Sequence, residues 1–337
     1  MQNRVAATLG IAVALCLLAG AEAVRGQSEG ELTAKTRLFS GIGPGLRSVR
    51  IAPDGKTYVL TAPGSAVAVF GKDGKFLKNV PDYSGSTGPA SAELRTIRFG
   101  ESMDLDAHGT VYVADSAANA VKVWDPDGAA RMSTVNSPVS VAALGEGEVA
   151  VATLRDPHLV IVFDRNGRDV REFGDPEQLT DRMDLNRFLN IGQLVSDTQG
   201  HLYYAFAYTP EPTVRQYDRF GYGAGQDIQY TALEAASEAQ AVRREIISQE
   251  KHHKMPAFKR ILTAVGIDRG RGEVWMALGN TLLHFDKDGN RRASYQLYTP
   301  EGARLEANTL LIEPDRLIIG SDPLGVYLFE RPDKNAK

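Results

Sequence analysis

The sequence holds a single cysteine, Cys16, which lies inside an apolar stretch near the first residue. The rest of the chain has no thiol. This excludes disulfide bonds, a cysteine nucleophile, iron–sulfur ligation and haem attached through a C-x-x-C-H motif. We therefore expect a hydrophobic core alone to stabilise the fold, and the chain is long enough to build one.

An excess of charge of one sign is also lacking. The 38 Lys and Arg residues nearly balance the 42 Asp and Glu residues, which gives no support for a nucleic-acid or anionic-membrane partner. Several enzyme motifs are missing as well, namely His-x-His and H-E-x-x-H spacings, a G-x-S-x-G elbow, a Walker loop and a dinucleotide fingerprint.

Long apolar runs are confined to residues 5–18. Arg4 precedes this run and the small-x-small sequence Ala21-Glu22-Ala23 follows it, a pattern that predicts a signal peptide over residues 1–23. A spanning helix needs about 20 residues, so we expect export to the periplasm or the extracellular medium rather than membrane insertion. The small, polar residues 24–34 predict a flexible linker, and residues 332–337 predict a short tail.

A repeated unit organises the rest of the chain. Within residues 103–128, a turn at His108-Gly109 leads to the apolar run Val111-Tyr112-Val113, and residues 120–124 alternate between apolar and polar. Both runs are typical of strands with a buried face, and a turn at 125–128 closes the unit. We interpret the unit as a β-meander.

The unit occurs six times in all. One copy lies 54 residues upstream, and looser copies lie around residues 147–167, 200–221, 272–289 and 315–329. Because no single copy buries its own hydrophobic faces, this repetition is typical of blades arranged in a ring.

Two segments fall outside the six copies. Residues 35–40 resemble a lone strand, which we predict completes the last blade and closes the ring. Apolar residues at helical spacing predict a helical insertion over about 231–256, between blades 4 and 5. The stripe consists of Ala232, Ala235, Ala239, Val242 and Ile246. Packing on the side or rim of the ring is its ordinary use, and a lid over one mouth is the alternative. The adjacent His252 and His253 do not indicate zinc, because neighbouring helical residues point in different directions.

The repeat resembles a known family. The pattern G-x-[VL]-[YW]-x-[AF], a polar loop and V-x-V-[FW]-D-x-[DN]-G resembles the NHL repeat, and residues 109–128 match it best. The resemblance implies an all-β fold, a six-bladed β-propeller of four-stranded antiparallel blades over residues 35–331. The fold also resembles the lyase, lactonase and strictosidine-synthase propellers, so it does not by itself select an activity.

A lactonase-like propeller would hold a divalent metal through oxygen ligands at the start of each innermost strand. Here those positions are Arg47, Glu101, Ser137, Ile191, Thr263 and Asn308. Only Glu101 and Asn308 are good ligands, Ile191 cannot ligate, and Arg47 opposes a cation. We therefore predict no metal and no other cofactor.

The aspartates of the second repeat offer one further candidate for chemistry. Asp104 and Asp106 would share a strand face and act as paired carboxylates. The alternative, which we favour, places Asp106 in the turn before Gly109, where its side chain bonds to the backbone. Asp115 is interpreted as a loop residue that caps backbone amides.

These observations favour a binding protein over an enzyme. Tyr208 lies in a proline-braced loop where an exposed tyrosine would suit an interface, and Arg47, Arg50 and Asp104 are expected near the channel entrance. We predict an exported propeller that recognises a protein, peptide or glycan partner through one rim. The alternative is a propeller hydrolase or lyase with a metal-assisted channel site built from Glu101, Asp104 and Asn308.

Overall fold

The computed structural model describes residues 28–39, 41–64, 66–82, 91–154, 157–230, 235–252 and 257–332. In these residues the strands form six sheets, each with four antiparallel strands in meander order, and one sheet carries an additional strand. The predicted six-bladed β-propeller is confirmed. The predicted signal peptide, residues 1–23, lies outside the described residues.

The strands, in chain order, are β1 (Ser28–Thr33), β2 (Thr36–Leu38), β3 (Leu46–Ile51), β4 (Thr57–Thr61), β5 (Val67–Phe70), β6 (Phe76–Val80), β7 (Gly100–Leu105), β8 (Val111–Asp115), β9 (Ala120–Trp124), β10 (Ala130–Thr134), β11 (Pro138–Ala143), β12 (Val149–Thr153), β13 (Val160–Phe163), β14 (Asp169–Phe173), β15 (Gly192–Ser196), β16 (Leu202–Phe206), β17 (Thr213–Tyr217), β18 (Ile228–Gln229), β19 (Ala264–Asp268), β20 (Glu273–Leu278), β21 (Thr281–Phe285), β22 (Arg291–Tyr298), β23 (Thr309–Ile312), β24 (Arg316–Ser321) and β25 (Gly325–Glu330). Blade 1 is β3–β6, blade 2 is β7–β10, blade 3 is β11–β14, blade 4 is β15–β18, and blade 5 is β19–β22. Blade 6 is β23–β25 together with β2.

Blade 2 shows why the repeat folds as it does. Every residue of β8 and β9 is buried, because both faces of these central strands pack against neighbouring blades. The turns on either side use Gly109 and Gly128 at φ angles of 86° and 93°, a backbone conformation that costs glycine little. The hydrophobic core therefore lies between blades, as where Leu60 and Val69 of blade 1 meet Met103 of blade 2.

The ring is closed by the N-terminal strand, as predicted. Strand β2 pairs antiparallel with β25, with Thr36 opposite Leu328 and Leu38 opposite Val326. The early strand β2 and the late strands β23–β25 thus share one blade, and β2 covers the outward-facing edge of β25.

The linker prediction for residues 24–34 is wrong where the structure describes them. Ser28–Thr33 form β1, which runs parallel to β22 as a fifth, outermost strand of blade 5. The backbone amide of Ala34 donates to Tyr298 in blade 5, and that of Lys35 donates to Leu328 in blade 6. Pairing at a sheet edge uses backbone groups, so it needs no apolar side-chain pattern that a sequence would reveal.

Two α-helices are present among the described residues: α1 (Met183–Leu189) precedes blade 4, and α2 (Ala236–His252) precedes blade 5. Helix α2 lies in the predicted insertion, and its buried Ala239, Val242 and Ile246 share a cluster with Leu185 and Leu189 of α1. This is the packing on the propeller that the apolar stripe indicates; Ala232 and His253 lie outside the described residues. In the described part of the chain, neither helix is long and apolar enough to cross a bilayer.

Candidate functional site

The six innermost strands, β3, β7, β11, β15, β19 and β23, surround the central channel. Their first residues meet at one face of the propeller, which we call the top face. A cavity of about 270 Å³ opens there. Five of the six predicted binding residues line it, namely Arg47, Arg50, Glu101, Tyr208 and Asn308. The sixth, Asp104, lies deeper in the channel, beside Arg50 and Arg269.

Backbone bulges place Arg47 and Glu101 in the cavity wall. Each is an additional residue at the start of its inner strand, where the pairing register shifts between Leu46 and Ser48 in blade 1 and between Gly100 and Ser102 in blade 2. A bulge re-aims a side chain relative to the regular strand. Both side chains are half-buried and line the cavity.

A bulge at the equivalent position of blade 3 corrects the prediction that Ser137 faces the channel. In blade 3 the register shifts between Pro138 and Ser140, so Val139 rather than Ser137 lines the cavity. Thr263 does not line it either, and its hydroxyl donates to the carbonyl of Ala277. One inserted residue changes which side chain faces the channel, and an alignment of repeats by eye does not reveal it.

Arg47 makes no ion pair with a described residue. Its guanidinium lies 5.5 Å from the centre of the Phe99 ring, a cation–π contact that supports it from one side. Its Nε is shielded from solvent and has no hydrogen-bond partner among the described residues. Arg47 is therefore a cation in the cavity wall with a donor left unused.

Glu101 does not neutralise Arg47. Its Oε1 accepts a hydrogen bond of 3.1 Å from the hydroxyl of Ser116, on the loop between β8 and β9. Asn308, the other candidate oxygen ligand, uses its Oδ1 to accept from the amide of Asp322 at 2.7 Å. Among the described residues, no group of three or more His, Cys, Asp or Glu side chains is placed to hold a metal ion.

Asp104 is committed to an ion pair rather than to acid–base chemistry. It is 2% exposed, and its Oδ1 accepts from Nε of Arg50 at 2.7 Å while Oδ2 accepts from the Ala143 amide at 2.9 Å. Nη2 of Arg269 lies 3.7 Å from the same Oδ1, so the carboxylate joins residues of blades 1, 3 and 5 across the channel.

Asp106 belongs to the turn, as the favoured interpretation predicted. Its Oδ1 accepts from the amides of His108 and Thr110 at 2.8 and 2.9 Å, and Oδ2 accepts from the Tyr112 hydroxyl. Asp104 and Asp106 therefore have separate structural partners and do not form a carboxylate pair.

The structural role predicted for Asp115 is confirmed, and this residue supports the wall of the cavity without lining it. This buried carboxylate accepts from the amides of Arg98, Phe99 and Ala118 and lies 2.8 Å from Nζ of the buried Lys122. Burial raises the pKa of Asp115, but the Lys122 ammonium and the amides of Arg98 and Phe99 outweigh burial, and the pKa ends below its ordinary value. The pair thus fixes the segment that carries Phe99 and Glu101.

Tyr208 is not the exposed aromatic that the sequence predicted. It is 9% exposed, and its ring lies 4.8 Å from that of Phe188 on α1, which in turn stacks on Phe258. The aromatic residues that cover Tyr208 come from two distant segments, so its own loop sequence could not reveal the burial. Its hydroxyl accepts from Nε of Arg260 at 3.4 Å, and both residues line the cavity.

Sequence reasoning missed a set of serines in the cavity wall. The hydroxyl oxygen of Ser48 accepts from the Met103 amide at 3.1 Å, and that of Ser140 accepts from the Leu194 amide at 2.9 Å. Ser102 occupies the matching position between blades 2 and 3. Each bond links one inner strand to the next. The 54-residue repeat offset, which relates Ser48 to Ser102, was the available clue.

Fold and site together define a class: a six-bladed β-propeller with a polar cavity at the top of its channel. The chain matches no protein-family model and no curated protein. Among solved structures it resembles U3-55K, with 12% identity, 88% of this chain and 98% of that chain covered, and a TM-score of 0.55.

Virginiamycin B lyase from Staphylococcus aureus is also similar. A catalytically inactive form with quinupristin gives 10% identity over 89% of this chain and 88% of that chain, with a TM-score of 0.52. The selenomethionine-substituted lyase gives 10% identity over 88% and 87%, with a TM-score of 0.51. Identities this low show a shared fold alone.

Proposed function

We propose that this protein is an exported binding propeller that recognises a protein, peptide or glycan partner at its top face. The observation that carries the proposal is the cavity at the channel mouth, where polar side chains from several blades converge. Concave sites with a few well-placed polar groups are where ligands commonly bind. Three arginines line the cavity, Arg47, Arg50 and Arg260, and the guanidinium of Arg47 makes no ion pair with a described residue.

The surroundings of the cavity supply area for a partner. The connections that carry α1 and α2 both lead to the starts of inner strands, so both additions lie on the side of the top face. They build up the rim beside blade 4, and Arg260 stands where the insertion returns to the propeller. A rim of this kind suits a macromolecular partner that inserts one group into the cavity.

The alternative, a hydrolase or lyase in the channel, draws on the fold it shares with virginiamycin B lyase. Its proposed residues fit this reading less well. Asp104 is held by Arg50, and Asn308 already accepts from Asp322. Glu101 remains as a half-buried carboxylate with one hydrogen bond. If the protein is an enzyme, Glu101 is therefore its candidate acid–base residue.

The test uses peptide and glycan arrays probed with the chain from residue 28 onward. Ile191→Trp places a bulky, uncharged side chain in the cavity wall, and Phe220→Ala removes an exposed ring at a turn on the opposite face. We expect an array ligand whose binding is lost in Ile191→Trp and kept in Phe220→Ala, and which mass spectrometry recovers unchanged. Loss in Phe220→Ala alone would contradict the top-face site, and a cleaved or rearranged ligand would favour the enzyme.

A further inference from the structure

The channel carries a positive charge excess that the whole chain does not. Four arginines line its two cavities, Arg47, Arg50, Arg260 and Arg269, against the carboxylates of Glu101 and Asp104. Over the full sequence the formal net charge is −4. Concentrated positive charge inside a low-dielectric channel draws anions to it.

The four arginines differ in whether a nearby carboxylate already neutralises their charge. Arg50 is paired with Asp104 at 2.7 Å, and Arg269 lies near the same carboxylate. Among the described residues, Arg47 and Arg260 have no carboxylate within ion-pair distance; Arg47 contacts the face of Phe99 and Arg260 donates to the Tyr208 hydroxyl. The two cations that remain for a ligand therefore line one cavity, at the channel mouth.

We propose that the cavity at the channel mouth binds a carboxylate group of the partner, held by Arg47 and Arg260. This inference rests on the proposed function, because it assigns the chemistry of the same site. A guanidinium presents parallel N–H donors that match a carboxylate, and the side chains of Arg47 and Arg260 line the same cavity.

Glu101 and the size of the cavity select the kind of anion. Glu101 faces the same space without a cationic partner among the described residues, so it repels a dianion such as phosphate more strongly than a monoanion. A volume of about 270 Å³ accommodates one small group and not a length of chain. An acidic side chain, a chain terminus or an acidic sugar meets both conditions.

The experiment follows arginine Nε–H signals by ¹H–¹⁵N NMR in the chain from residue 28 onward, titrated with the monoanions acetate and propionate, with inorganic phosphate and with chloride. Arg47→Met assigns its signal, and Lys78→Met is the matched control, because Lys78 is exposed on the outer strand of blade 1. We expect the Arg47 signal to move saturably with acetate and propionate. Arg260→Met should weaken that response about tenfold, as loss of one charge-assisted bond implies.

Each other result overturns the inference. A response equal for phosphate, chloride and carboxylates would show undirected attraction of anions, and no saturable shift would show that the cavity does not bind them. Failure of the carboxylate inference can be distinguished from failure of the proposed function. An array ligand whose binding is lost in Ile191→Trp, but is kept both in Arg47→Met and after amidation of the ligand's carboxylates, would support the top-face binding site and refute the carboxylate inference.

Discussion

Replacing Lys122 by methionine tests whether the buried ion pair in blade 2 holds the wall of the cavity. Nζ of Lys122 lies 2.8 Å from Asp115 and donates to the Thr96 carbonyl at 2.7 Å, and both charged side chains are almost fully buried. Removing one partner leaves the other charge buried without compensation. Such a change destabilises by about 3–5 kcal/mol. Methionine keeps most of the side-chain volume, so little of that loss comes from a cavity.

The pH dependence separates this explanation from a simple packing defect. In the native protein the pKa of Asp115 lies below its ordinary value of 3.8, so its stabilising contribution is present above about pH 4 and is lost as the pH falls through the native pKa. Without the Lys122 ammonium, less opposes the effect of burial, so the pKa of Asp115 is higher in the variant than in the parent chain. Protonation of Asp115 at acidic pH then removes the uncompensated buried charge. The variant should therefore be destabilised more at pH 7 than at pH 4.5.

Urea unfolding at the two pH values measures this difference. Lys78→Met makes the same substitution at an exposed site and should stay within about 0.5 kcal/mol of the parent chain. The double variant Asp115→Asn, Lys122→Met should recover part of the loss, because no isolated charge remains. A loss below about 1 kcal/mol, or one that is the same at both pH values, would refute the reasoning.

Three further perturbations test the ring itself. Ser140→Ala leaves the buried Leu194 amide without its acceptor and should lower the free energy of unfolding by about 1–3 kcal/mol, with Ser237→Ala, at an exposed position of α2, as the control; equal losses would remove the special role of the inter-blade bond. Deleting residues 28–38 removes β1 and β2 and exposes the edge of β25. Size-exclusion chromatography should then show self-association that a chain beginning at residue 28 does not show. A monomer of unchanged melting temperature would contradict closure of the ring by β2. Gly320→Ala would place a Cβ against Thr309 and Leu46 and should cost about 1–3 kcal/mol in urea unfolding, whereas an unchanged midpoint would mean that the strands shift without penalty.

The blades could be predicted from the sequence because each one depends on local chemistry. The turn after β9 needs an aspartate and a glycine with positive φ, and the strand before it needs alternating or continuous apolar residues; both are visible in one repeat and recur in the others. The helix of the insertion was predictable for the same reason, since Ala239, Val242 and Ile246 follow its period.

The remainder depends on contacts between distant segments. Strand β1 pairs through backbone groups alone, and α1 has seven residues, too few for a clear helical period. The burial of Tyr208 comes from Phe188 and Phe258, which no local pattern connects to it. In the site, Arg47, Glu101 and Asn308 were found because they start inner strands, whereas the bulge in blade 3 put Val139 where Ser137 was expected.

Affinity of the cavity variant tests the central claim most directly. The measurement is the dissociation constant of an array-selected ligand for the chain from residue 28 onward, for Ile191→Trp and for Phe220→Ala. We predict at least about a thirtyfold loss of affinity in Ile191→Trp, equivalent to a hot spot of about 2 kcal/mol, and no change in Phe220→Ala. Equal affinities for all three proteins would contradict recognition at the top of the channel.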